Sequence, residues 1–255
     1  MKKLLLVLIL ALFLSCVEQE HEPNLISPVY AGYPEGIDVT VLGNEGFVVG
    51  YSDVFRNPMW VGYRLFDRKG AETHKRPGRF KVDARTKSCV SHDDYTNSGY
   101  DRGHMAPNYG INVCYGREGQ LDTFYMSNIA PQKPHLNRQI WRLLEEKVAK
   151  VYTESFQEIW VITGPIFDQH TEMLDSGVDV PDAFYKIIID EQAKKPRAMA
   201  FIIKQDAKRT SHKLYLVSID EVEKQTGLDF FHHLDDKIED ALESKVAKEM
   251  WKGIE

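Results

Sequence analysis

Residues 4–14 form an unbroken apolar run behind Lys2 and Lys3, and the run ends at Ser15-Cys16. It is about half the roughly 20 residues that a bilayer-spanning helix needs. A short basic start, an apolar stretch of this length and a small residue before a cysteine describe an export signal. The next segment is polar, carries Pro23, Pro28 and Pro34, and shows no period. We therefore expect a signal at 1–15, a tether at 16–36 and a folded domain over 37–255. Within that domain, β-rich runs lie at 46–51, 59–66, 123–129, 158–163, 183–189, 197–203 and 213–219. A 3.6-residue period links Ile140, Leu143, Leu144, Val148 and Val151 in a predicted helix over 138–153, and a second links Ile238, Leu242, Val246 and Met250. Several strands follow one another too closely for a crossover helix between them. The expected fold is α+β, an antiparallel sheet with helices packed on it.

Composition narrows this little: 43% apolar and 27% charged residues exclude disordered, collagen-like and multi-span membrane chains. Charge changes the picture more. The formal net charge is −6, and loss of Lys2 and Lys3 with the signal makes it −8, so a polyanion is a poor match to the chain as a whole. Segment 64–87, however, holds nine Lys or Arg against Asp67, Glu72 and Asp83, while 220–255 holds eleven acids and five lysines. Such asymmetry suggests one face suited to a polyanion. Export to an oxidising compartment leaves Cys89 and Cys114 as a disulfide or as two separate thiols, and spacing does not decide between them. The Phe13-Leu14-Ser15-Cys16 sequence resembles a bacterial lipobox, which implies a lipid on Cys16 and a membrane anchor, with a periplasmic or secreted protein as the alternative.

The densest chemistry lies in Ser98-Gly99-Tyr100-Asp101-Arg102-Gly103-His104-Met105-Ala106-Pro107. Glycines around a charged pair, with a proline beyond, describe a strand end or turn that presents an accessible histidine. Farther on, Pro131 and Pro134 fix a non-helical approach to the helix and put Asn137 at or near its N-cap. Glu145 follows after eight residues, about 80° of rotation and 12 Å of rise along a helix. It could reach an ion at Asn137 through a bound water, because helical side chains lean toward the N-terminus. A zinc site from His92, His104 and His135 lacks ligand spacing, and nothing around Cys114 resembles a nucleophile signature.

Three ordered stretches resemble the DNA/RNA non-specific endonuclease family. They are Tyr100-Asp101-Arg102-Gly103-His104 with Ala106-Pro107, then Thr123-Phe124-Tyr125-Met126-Ser127-Asn128-Ile129-Ala130-Pro131-Gln132, then Asn137-Arg138 with Trp141 and Leu144-Glu145. The resemblance runs from about Phe66 to Phe231 and includes Thr163-Gly164-Pro165. It implies a ββα-metal (His-Me finger) site beside an antiparallel sheet and hydrolysis of phosphodiesters in DNA and RNA. It implies His104 as general base, Asn137 as the single protein ligand to magnesium (manganese being the alternative), and Glu145 as the carboxylate that orients metal-bound waters. Arg76 is the expected phosphate-contacting arginine, with Arg79 as its alternative, and Arg102 is expected to bind substrate. Ala149 stands where the family often has a second arginine, with Lys147, Lys150 or Arg142 as substitutes. That departure motivates a competing reading, a catalytically impaired surface lipoprotein that binds nucleic acid or a protein on the same scaffold.

Overall fold

The computed structural model describes residues 28–168 and 172–252. The signal, Cys16 and most of the expected tether lie outside the described residues. In chain order the strands are β1 (Thr40–Asn44), β2 (Phe47–Ser52), β3 (Asn57–Phe66), β4 (Asp101–His104), β5 (Ile129–Gln132), β6 (Glu158–Ile166), β7 (Glu172–Met173), β8 (Asp179–Val180), β9 (Ala183–Asp190), β10 (Arg197–Lys204) and β11 (Leu216–Val217). The helices are α1 (Asn108–Asp122), α2 (residues 134–156), α3 (Ile219–Thr226) and α4 (Asp236–Glu243). Seven strands make one antiparallel sheet in the order β1-β2-β3-β6-β9-β10-β11, and β4 pairs with β5 in a separate two-stranded sheet. The α+β expectation is met.

Both faces of the large sheet are covered, which explains why its interior strand β9 reads Ala-Phe-Tyr-Lys-Ile-Ile-Ile-Asp with little alternation. Alternate residues still divide between two cores. Phe184 and Ile188 join Tyr63, Val161 and Phe201 under the apolar stripe Leu136, Ile140, Trp141, Leu144, Val148 and Tyr152 of α2. Tyr185, Ile187 and Ile189 face the other way, toward Val29 and Tyr30 from the start of the described chain and Ile219, Val222, Leu228, Phe230 and Phe231 from its end. A smaller cluster joins Tyr95, Met126 and Ile129 to Leu174, Val178 and Val180. Among the described residues no helix is long and apolar enough to cross a membrane.

Several expectations are corrected. The tether does not run to residue 36: Tyr30 is buried, edge-on to Phe231 at 5.4 Å, and Glu35 bridges Asp229. Segment 123–129 is mostly a tight turn (Met126–Asn128), and the strand starts only at Ile129. Segment 213–219 is a turn, His212–Tyr215, followed by the two residues of β11 and the start of α3, whose N-cap Ser218 accepts the Glu221 N–H. The helix expected through Met250 ends at Glu243, after which Trp251 crosses to pack on Tyr152 and Phe156. Cys89 is exposed and Cys114 buried, and both are free thiols.

Because residues 28–36 are part of the folded unit, Tyr30→Ala should destabilise the protein by about 3 kcal/mol, as for a buried aromatic. Urea unfolding measures this, and an unchanged midpoint would mean that the segment is only a tether.

Candidate active site

The β4–β5 pair aligns His104 with Ile129 and Gly103 with Ala130. Gly103 is required by contact: a Cβ there would lie 2.2 Å from Gln132 Oε1. Past His104 the chain leaves the ladder, and Asn128 takes over. Its Oδ1 accepts the Ala106 N–H at 2.8 Å, its Nδ2 donates to the carbonyls of Ala106 and Thr123, and its own carbonyl accepts the Met105 N–H. The turn that carries His104 is thereby held by one side chain. The imidazole packs between Phe80 and Phe124, with ring centroids 5.2 and 5.1 Å away. His104 is 9% exposed, so the accessible histidine expected from the glycine-rich context is in fact buried by these rings. Burial, with the Arg76 charge in support, pushes its pKa down to about 3. The ring is neutral near pH 7, and Nε2 has no hydrogen-bond partner.

Asn137 is not a cap. Its N–H already bonds to the Lys133 carbonyl at 3.0 Å, because α2 begins at Pro134, a favoured first helical position for proline. Its side-chain Nδ2 donates to Asp101 Oδ2 at 2.9 Å, which fixes the amide's orientation and leaves Oδ1 as a free acceptor. Asp101 also takes a two-pronged bond from Arg138, at 2.8 and 2.6 Å. Burial opposes ionisation of Asp101, but the bonds from Arg138 and Asn137 outweigh it and hold the carboxyl below its usual range. Asp101 lies inside the motif that singled out His104, yet its role shows only once β4 faces the start of α2.

Glu145 meets a residue that the sequence reading passed over. Lys186 of β9 has a fully buried side chain, with Nζ 3.9 Å from Glu145 Oε1, 3.3 Å from the Tyr63 hydroxyl and 4.4 Å from the Trp141 ring centroid. Burial pushes the Glu145 carboxyl up and the Lys186 ammonium down, and each charge partly offsets the other's shift. Glu145 Oε1 is buried without a hydrogen-bond partner. A lone lysine in an apolar strand is the signal that could have flagged it.

An open cleft of about 550 Å³ gathers Arg76, Arg102, His104, Asn137 and Glu145. Arg76 stacks its guanidinium 5.1 Å over Phe124. Arg102 is on the wall but tied down, donating to the His92 carbonyl and to Thr96 Oγ1. Arg79 lies outside the lining and pairs with Asp93 at 2.7 Å. Ala149 lines the cleft beside Lys150 and Arg142, whereas Lys147 does not. The lining thus holds five cations, Arg76, Arg102, Arg138, Arg142 and Lys150, against two acids, Glu145 and Glu146, with Arg138 paired to Asp101 and Arg142 to Glu146. Segment 64–87 contributes just Arg76; Arg64, Arg68 and Arg85 are spent on Glu158, the Cys114 carbonyl and Asp83. The Asn137 amide oxygen and the Glu145 carboxylate in one cleft form an oxygen donor set that fits a hard divalent cation.

The profile of the DNA/RNA non-specific endonucleases matches residues 28–237. The chain belongs to this family. Membership makes it a DNA/RNA endonuclease, a hydrolase of a metal-dependent family. Human mitochondrial endonuclease G is 30% identical over 73% of this chain and 67% of its own length. Nuclease C1 of Cunninghamella echinulata var. echinulata is 33% identical over 84% of this chain and 90% of its own. Mouse mitochondrial nuclease EXOG is 31% identical over 72% of this chain, which spans only 55% of that relative. Among solved structures, EndoG in its complex with EndoGI superposes with a TM-score of 0.70 at 27% identity, covering 82% of this chain and 92% of that one.

Two outcomes follow from the buried charges. Lys186→Met leaves Glu145 without its counter-charge, so the divalent cation concentration for half-maximal cleavage should rise by about tenfold or more, as for a lost outer-shell partner. An unchanged cation titration would separate the pair from the site. His104 binds its proton less readily folded than unfolded, where the pKa is near 6.5. The unfolded state therefore holds more protons between about pH 6.5 and 3, and stability should rise with pH across that window and level off above it. Replacement by Gln should flatten that dependence in urea unfolding at pH 4 to 7; an unaltered slope would mean that His104 is not depressed.

Proposed function

We propose that the chain is an exported, magnesium-dependent, sugar-non-specific endonuclease that cleaves DNA and RNA, with manganese as an alternative cation. The carrying observation is one positively lined cleft in which a neutral, buried imidazole sits with a free amide oxygen and a buried carboxylate. His104 takes the proton from the attacking water, a task suited to an imidazole that stays unprotonated near pH 7. Asn137 Oδ1 would hold the cation, and Glu145 would accept hydrogen bonds from its waters. When bound, the cation supplies charge stabilisation and a proton source at the departing 3′ oxygen. Arg76 is the phosphate-contacting arginine rather than Arg79, since only Arg76 lines the cleft. Arg102 adds to the field while its guanidinium braces the wall. These contacts address phosphate and no base edge, so sequence indifference follows.

Ala149 favours the second reading, a non-catalytic binder, but Lys150 and Arg142 in the same lining keep that end of the cleft cationic. Export follows from the signal-like residues 1–15, with a lipid on Cys16 as the anchor, and lipid labelling of the intact protein against Cys16→Ser decides it.

Plasmid DNA and RNA incubated with the mature protein should be cleaved with magnesium and spared with chelator. His104→Ala should lower turnover by about 10² to 10⁴ with binding retained. Arg76→Ala should cut turnover more than it raises KM, with Arg79→Ala changing little. Wild-type protein that binds without cleaving would establish the second reading, and more than half the activity left in His104→Ala would remove the base assignment.

A further inference from the structure

Helices α3 and α4 bring three carboxylates together away from the cleft. Asp220 and Glu223 are three residues apart on one face of α3, and Glu243 closes α4. One oxygen from each lies within 4.8 Å of the other two. None of the three lines the cleft that holds His104. Asp220 is exposed, Glu223 half-buried and Glu243 7% exposed, so the cluster opens to water on one side and is closed on the other.

Acidic clusters on helices are usually solvated faces, but Glu243 is not solvated. Its Oε1 is buried without a hydrogen-bond partner, and no ion pair reaches it among the described residues. The charged groups acting on it most strongly are all acidic: Glu223, Glu239, Asp220 and Asp229. The two other acids buried to this degree are satisfied, Asp83 by Arg85 and Ser127, and Asp190 by Arg197 and the Ala193 N–H. Glu223 has a single bond, from the Phe230 N–H at 2.9 Å. Burial and like charge push both Glu243 and Glu223 above the ordinary carboxylate range, Glu243 to about 8. Either the cluster holds protons or something positive replaces them.

We propose that Asp220, Glu223 and Glu243 form a second divalent cation site, of the calcium type, that clamps α3 to α4. Oxygens on one calcium at 2.3–2.6 Å lie at most about 5 Å apart, and the ion accepts six to eight oxygens in flexible geometry. Three carboxylates from two helices, completed by water on the Asp220 side, meet that description. Magnesium prefers a stricter octahedron and commonly one or two carboxylates, the pattern of the cleft instead. The clamp is structural, because α3 contributes Ile219 and Val222 to the core behind the sheet.

The test uses the Asn137→Ala chain, whose cleft lacks its direct ligand, so cation effects there come from elsewhere. Calcium chloride should bind it with one-site stoichiometry by calorimetry and raise Tm saturably, by about 5 to 10 °C at a hundredfold excess over Kd. Adding Glu243→Gln should abolish both effects, and Asp220→Asn, at an exposed position, should weaken binding tenfold or more if Glu243→Gln fails to fold. In the otherwise wild-type chain, Glu243→Gln should leave cleavage at saturating magnesium unchanged. No saturable binding in the Asn137→Ala chain, or binding undiminished by both substitutions, overturns the site whatever the cleft does.

Discussion

Lys186 holds an ammonium group in the middle of an interior strand, wholly out of water, and the structure must answer that charge from the layer above. An unpaired buried ion costs several kcal/mol even after relaxation, so a carboxylate has to come to it. Glu145 does, and because it sits on α2, the pairing sets the rotation of that helix against the sheet. Asn137, eight residues earlier, is then about 80° around the same helix and reaches the same cleft. Asp101 of β4 grips the beginning of the helix through Asn137 and Arg138. Two carboxylates thus tie α2 at two points, one to the large sheet and one to the small sheet that carries His104. The groups gathered in the cleft occupy their places because the helix between them has little freedom to turn.

The charge distribution follows a similar division. An acidic chain can take a polyanion when its cations gather in one concave place, and here the gathering occurs across distant segments: Arg76 and Arg102 from one side, Arg138, Arg142 and Lys150 from α2. The basic segment 64–87 looked like the source of that field, yet most of its arginines anchor loops. The acidic surplus of 220–255 condenses behind the sheet, where Glu243 is buried among like charges.

Much of this was legible in the sequence, and the rest has identifiable physical causes. Five of the seven strands of the large sheet were marked by β-branched and aromatic runs, and α2 by its period. The sequence around His104 and Asn137 named residues that the fold gathers in one cleft. Helix α1 escaped notice because it packs through glycines: Gly110 lies against Leu65, Gly119 against the carbonyl of Glu45, and Gly116 breaks the period with a φ of +72°. Segment 123–129 has strand composition, but Asn128 supplies by side chain the bonds that a ladder would make, and the backbone turns instead. The burial of His104 depends on Phe80 and Phe124, 24 and 20 residues away in the chain, which no local pattern reports. Lys186 was hidden for the same reason: its meaning lies entirely in Glu145, 41 residues earlier.

A double-mutant cycle on folding stability, with Lys186→Met, Glu145→Gln and both together, tests this dependence most directly. If the buried pair sets α2 against the sheet, each single substitution strands its partner, and the double variant should be more stable than the two losses added together predict, by about 0.5 to 3 kcal/mol of coupling. Losses that simply add in urea unfolding would mean that Lys186 and Glu145 are independent neighbours, and that the placement of α2 has some other cause.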